Sequence, residues 1–135
     1  MSLENIVEIL QTNIKKINSA ISDIDYASSY SRSSASSSYC GYAKSSLREV
    51  INELMTITPK SNNISEILQN NIGKINNAIS NADYASSYSR SSASSSYCSY
   101  AKSSLRSVQE EFKQIISNLD KSKSQSNEED LERSL

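Results

Sequence analysis

The sixteen residues from Asp25 to Cys40, DYASSYSRSSASSSYC, recur without change from Asp83 to Cys98. A segment used twice in one chain restricts the fold to arrangements that offer it two equivalent places. The match extends to both sides at the same offset of 58 residues. NIVEILQTNIKKINSAIS returns as NISEILQNNIGKINNAIS, and YAKSSLREV at Tyr42–Val50 returns as YAKSSLRSV at Tyr100–Val108. The flanks differ at about one position in three, yet the central segment does not differ at all. Recent duplication accounts for such identity; so does a shared demand, in which both copies meet the same close-fitting surface or each other.

Two glycines and one proline leave too little punctuation for β-hairpins or phosphate-cradling loops, so helix is the default. The opening of each copy supports it. Ile6, Leu10, Ile14 or Asn13, Ile17, Ala20 with Ile21, and Ile24 keep the three-and-four spacing of one helix face. Ile64, Leu68, Ile72, Ile75, Ala78 with Ile79, and Ala82 repeat it. The closing parts behave alike, through Leu47, Val50, Ile51 and Leu54, then Leu105, Val108, Phe112 and Ile115. Each copy therefore has apolar ends and a polar middle of small residues.

Serine is a mediocre helix former, because its hydroxyl competes for backbone groups. Three features nevertheless predict helix through the middle. It contains no Gly or Pro; the apolar stripe continues through Ala27, Ser28, Ser31, Ala35, Ser38 or Tyr39, and Tyr42; and helical flanks supply the nucleus that serines lack. Small side chains on that face let helices approach closer than the usual spacing of about 8–10 Å. A second stripe, Tyr26, Tyr30, Ser33, Ser37, Cys40, Lys44, Leu47, Ile51 and Leu54, lies on the opposite side, as expected of a helix sandwiched in a bundle.

The predicted fold class is all-α: tandem-repeat long helices in an antiparallel hairpin, with coiled-coil-like packing completed by a second chain. The alternative is a single-chain four-helix bundle with breaks near Ser22 and Ser80, where Ser22-x-x-Asp25 and Ser80-x-x-Asp83 resemble a capping box. The cysteines separate the two. Long rods set Cys40 and Cys98 on the order of 30 Å apart, which forbids a disulfide between them. Four helices in one chain, with the second and fourth parallel, make them neighbours. The organisation expected is a helical repeat over 1–56, a turn over 57–62 that contains Pro59, a second repeat over 63–120, and a polar tail over 121–135.

A chain of 135 residues with 36% hydrophobic content supports one domain with a thin core. Its formal charge of −1, with both signs interspersed, offers no basic field for nucleic acid or anionic lipid. No cationic start precedes an apolar run, and no eighteen-residue apolar stretch occurs, so neither a secretory signal nor a membrane span is expected, and the expected setting is cytoplasmic. In that setting Cys40 and Cys98 read first as small buried apolar residues. Lys44, one helical turn from Cys40, would favour a thiolate and a redox-sensing role.

With no histidine, no phosphate loop and no nucleophile motif, the sequence points away from an enzyme, and it implies no cofactor, metal or small-molecule substrate. The expected function is that of a structural or protein-interaction protein, which self-associates or meets a helical partner through its Ser/Ala/Tyr seam. The candidate interaction residues are Tyr26, Tyr30, Ala35, Tyr39, Cys40 and Tyr42, with Tyr84, Tyr88, Ala93, Tyr97, Cys98 and Tyr100. Tyrosine suits interface centres, and it equally fills gaps left by serine within a bundle. The alternative function is a regulatory helical module whose assembly is gated by cysteine oxidation, or by phosphorylation at Arg32-Ser33-Ser34 and Arg90-Ser91-Ser92.

Overall fold

The computed structural model describes residues 2–31, 33–57 and 62–125. It contains four helices: α1 (Leu3–Ser29), α2 (Ala35–Leu54), α3 (Asn62–Ser87) and α4 (Ala93–Gln125). Ser2 caps α1 by accepting a hydrogen bond on its side-chain oxygen from the Asn5 amide at 3.2 Å, and Glu4 lies in the first turn, where the helix dipole favours an acid.

Each repeat is a helical hairpin, because the serine segment turns rather than continuing as helix. The Tyr30 amide closes α1 on the Tyr26 carbonyl at 2.9 Å; Ser33 and Ser36 then bond three residues back, to Tyr30 at 2.9 Å and Ser33 at 3.1 Å. The Ser33 hydroxyl accepts from the Ala35 amide at 3.1 Å and so occupies a donor at the start of α2. The second copy repeats the turn through Tyr88, Ser91 and Ser94, with the Ser91 hydroxyl on the Ala93 amide. No described residue has a positive φ. The turn therefore needs no glycine, and the absence of glycine was no obstacle to it.

The uninterrupted rods expected from the serine segment are thus replaced by two hairpins, and the bundle is made within one chain. The break also falls elsewhere than the capping-box pattern suggested, since Ser22 and Ser80 lie inside α1 and α3. Folding back between α1 and α2 brings the Ile/Leu stripe of α1 against Leu47, Val50 and Leu54 of α2, apolar burial that a single rod must obtain from another chain.

Helix α1 packs on α2 and α4, and α3 packs on α2 and α4, so that neighbours are antiparallel and α1/α3 and α2/α4 are diagonal. Within the hairpins, Lys16 pairs with Glu53 and Lys74 with Glu111. Between them, Lys44 pairs with Asp83, and Lys102 with Asp25 at 2.6 Å. One core runs through all four helices, from Leu3, Leu10 and Phe112 to Ala27, Cys40, Ala85 and Cys98.

Helix α4 continues to Gln125, into the segment expected to be a polar tail. The expected turn at Pro59 and the rest of that tail lie outside the described residues. No described helix is long and apolar enough to cross a membrane.

Candidate interaction surface

The reversal between α1 and α2 gathers tyrosines from both helices. Tyr39, half-buried near the start of α2, stacks on Tyr30 of the α1 end (centroids 6.0 Å, planes 15° apart) and lies against Tyr26 at 5.2 Å. Tyr42, one turn further along α2, meets it edge-on at 6.0 Å and 89°. The second hairpin has the same cluster, with Tyr97 at the centre of Tyr84, Tyr88 and Tyr100. The stacked and edge-on contacts match the ring quadrupole and add about 0.5–1.5 kcal/mol per pair beyond area burial.

These clusters differ from the two pairs on opposite helix faces that a continuous helix would give, since all four rings of a repeat form one group across the hairpin groove. Tyr26, Tyr30 and Tyr42 stay 52%, 50% and 60% exposed, and Tyr84, Tyr88 and Tyr100 stay 52%, 49% and 57% exposed. Met55 is the only other large apolar side chain exposed to this degree among the described residues. Because the α1/α2 and α3/α4 faces are opposite sides of the bundle, each molecule presents two equivalent aromatic surfaces near one end.

The remaining candidates lie elsewhere. Ala35 and Ala93 open α2 and α4 and are half-buried. Cys40 and Cys98 are free thiols at 0% and 1% exposure, on the diagonal pair of helices, and they lie close enough in the core for their ionisations to be linked. Their interaction makes the pair's two protons unequal, raising Cys40 and lowering Cys98, while burial opposes ionisation of both. Lys44 and Asp83 act on Cys40 only secondarily, and with opposite signs.

Ser33, Ser34, Ser91 and Ser92 are exposed at the turns, outside the packed seam where phosphorylation was expected to act; Arg32 lies outside the described residues. Among the described residues the buried serines are Ser36 and Ser94. Ser94 donates to the Ala85 carbonyl at 3.0 Å, whereas the Ser36 oxygen has no partner.

Sequence reasoning assigned no role to two polar sets. Asn13 and Asn71 are wholly buried, donating to Ile9 and Ile67 carbonyls at 2.8 Å, with both side-chain oxygens unpartnered. A buried amide in an otherwise aliphatic stripe costs stability and fixes register. The helical spacing was its signal, since it admitted Asn13 as well as Ile14 to the first stripe; in the second copy the stripe was read through Ile72, which is half-buried beside Asn71. The second set is the crossed ion pairs between hairpins, whose Asp and Lys sit in or next to the identical segment.

No protein-family model, curated protein or solved structure matches the chain.

Proposed function

We propose that this protein is a non-enzymatic helical interaction protein that associates with copies of itself through its two tyrosine clusters. The observation that carries the reading is the pairing of two equivalent, half-exposed four-ring surfaces on opposite sides of one rigid bundle. Aromatic rings held by one another lose little freedom on docking, and their hydroxyls remain free to hydrogen-bond. A formal charge of −1 sets up little repulsion between copies, and two faces per molecule allow association to extend beyond a dimer. Of the small residues in the expected seam, Ala27 is buried, Ser28, Ser31 and Ala35 are half-buried and Ser38 is exposed, so the tyrosines are its large outward side chains.

The test is sedimentation of the full chain beside a variant with Tyr26, Tyr30, Tyr42, Tyr84, Tyr88 and Tyr100 changed to Ser, Tyr39 and Tyr97 being kept. Concentration-dependent assembly lost in the variant, at unchanged helix content, supports the reading. A wild-type chain monomeric at all concentrations overturns it.

The contact between the Cys40 and Cys98 thiols favours a second reading, regulation by oxidation. Joining them would release two protons and two electrons to an oxidant such as diamide and tie the hairpins together. Mass measured with and without reductant separates the readings, because scaffolding alone is indifferent to it.

A further inference from the structure

The contacts that join the two hairpins are made by residues the repeats share. Lys44–Asp83 and Lys102–Asp25 are one interaction made twice, because Lys44 and Lys102 are equivalent, as are Asp25 and Asp83. Cys40 meets its own equivalent, Cys98. The Ser86 hydroxyl donates to Ser37 at 3.1 Å, and the chain repeats both serines, as Ser28 and Ser95.

Gln109 is the main departure, replacing Ile51 of the first repeat. It donates to the Ile14 carbonyl at 3.2 Å and to Asn18 at 2.6 Å. Its acceptors are shared too, for the second hairpin carries Ile72 and Asn76 at the equivalent places. A two-fold surface of this kind is self-complementary, and its Lys–Asp, Cys–Cys and Ser–Ser contacts are open to a hairpin of another copy as well as to one of the same chain.

We propose that copies of this chain exchange hairpins, the first hairpin of one molecule pairing with the first of a second molecule, and likewise the second with the second. The partner is a second copy, and the surface is the inner face of the hairpin rather than the tyrosine clusters. What favours pairing within the chain is the short connection over 55–61, which sets an effective concentration of about millimolar. Exchange follows when hairpins separate at comparable protein concentration.

The charge pattern provides the test in the full chain. In D25K/K44D, pairing within the chain sets two cations together at the contact with Lys102 and two carboxylates together at the contact with Asp83, whereas like hairpins of two copies regain opposite charges at both places. The expected result is a dimerisation concentration lowered roughly tenfold, returned to the wild-type value in D25K/K44D/D83K/K102D. Serine substitution of the six exposed tyrosines leaves this shift in place, so the outcome is separate from that of the tyrosine faces.

A second measurement covers a double variant that does not fold. C98S, refolded at high concentration and then treated with diamide, is expected to form a Cys40–Cys40 disulfide between copies. Within one folded monomer that thiol is buried against residue 98. A D25K/K44D variant no more dimeric than its quadruple counterpart, or a C98S chain that yields no cross-linked dimer, overturns the proposal.

Discussion

The two ends of the bundle are packed from different materials. At the end away from the hairpin turns the core is Leu3, Ile6, Leu10, Leu54, Leu68, Phe112, Ile115 and Leu119. Towards the turns it is Ala20, Ala27, Ser36, Cys40 and Ala43, with Ala78, Ala82, Ala85, Ser94, Cys98 and Ala101. Ile24 is the one large aliphatic side chain among the described buried residues there. Large side chains remove more apolar surface from water, so most of the driving force lies at the first end. Small ones leave no slack, so the second end contributes close fit and carries the polar contacts between hairpins.

Substitution at each end probes this contrast. Phe112, fully buried at the aliphatic end, is the largest core side chain, and Phe112→Ala is expected to cost about 3–5 kcal/mol in denaturant unfolding. A cost below about 1 kcal/mol would remove the distinction between the ends. At the small-residue end the opposite change is the informative one. Ala27 is 0% exposed, and Ala27→Leu is expected to destabilise by about 1–3 kcal/mol through overpacking, whereas tolerance of leucine would mean that the fit there is loose.

Gly41 lies in α2 beside Cys40, and a Cβ added to it would meet nothing within 4 Å. Gly41→Ala is therefore expected to raise stability by about 0.5–1 kcal/mol, read as a higher unfolding midpoint, since helix entropy outweighs packing at this position. The smallest effect is at Asp23, whose carboxyl is raised above its ordinary value by burial. A raised acid binds its proton more tightly folded than unfolded, so its charge opposes folding at neutral pH and that penalty fades as pH falls through the folded value. Asp23→Asn should stabilise by a few tenths of a kcal/mol at pH 7, after solvent screening, and by nothing in strong acid.

The same contrast explains what the sequence disclosed. The Ile/Leu stripes announced themselves, because large apolar residues at helical spacing have few other uses; Ile6, Leu10, Ile17, Leu47, Val50 and Phe112 are all buried. The serine tract was ambiguous because one composition serves helix and turn. Ser36 and Ser37 lie inside α2 while Ser33 precedes it and accepts from the Ala35 amide, and only the tertiary fold, which brings Tyr39 back onto Tyr26 and Tyr30, decides between them. The tyrosines were visible as candidates but not as clusters, since their grouping depends on a turn without glycine or proline. The crossed Lys–Asp pairs needed the antiparallel order of four helices before any pairing followed.

The central claim is that the serine tract reverses the chain, and a distance across one hairpin tests it most directly. Ser22 in α1 and Ser45 in α2 are both exposed and lie on neighbouring antiparallel helices. Spin labels are placed at S22C and S45C in a C40A/C98A chain, diluted with unlabelled protein, and their separation is read by pulsed electron resonance. The hairpin predicts about 10–20 Å, an interhelical spacing plus the label arms. A continuous helix would place them about 35 Å apart, and that result would contradict the account.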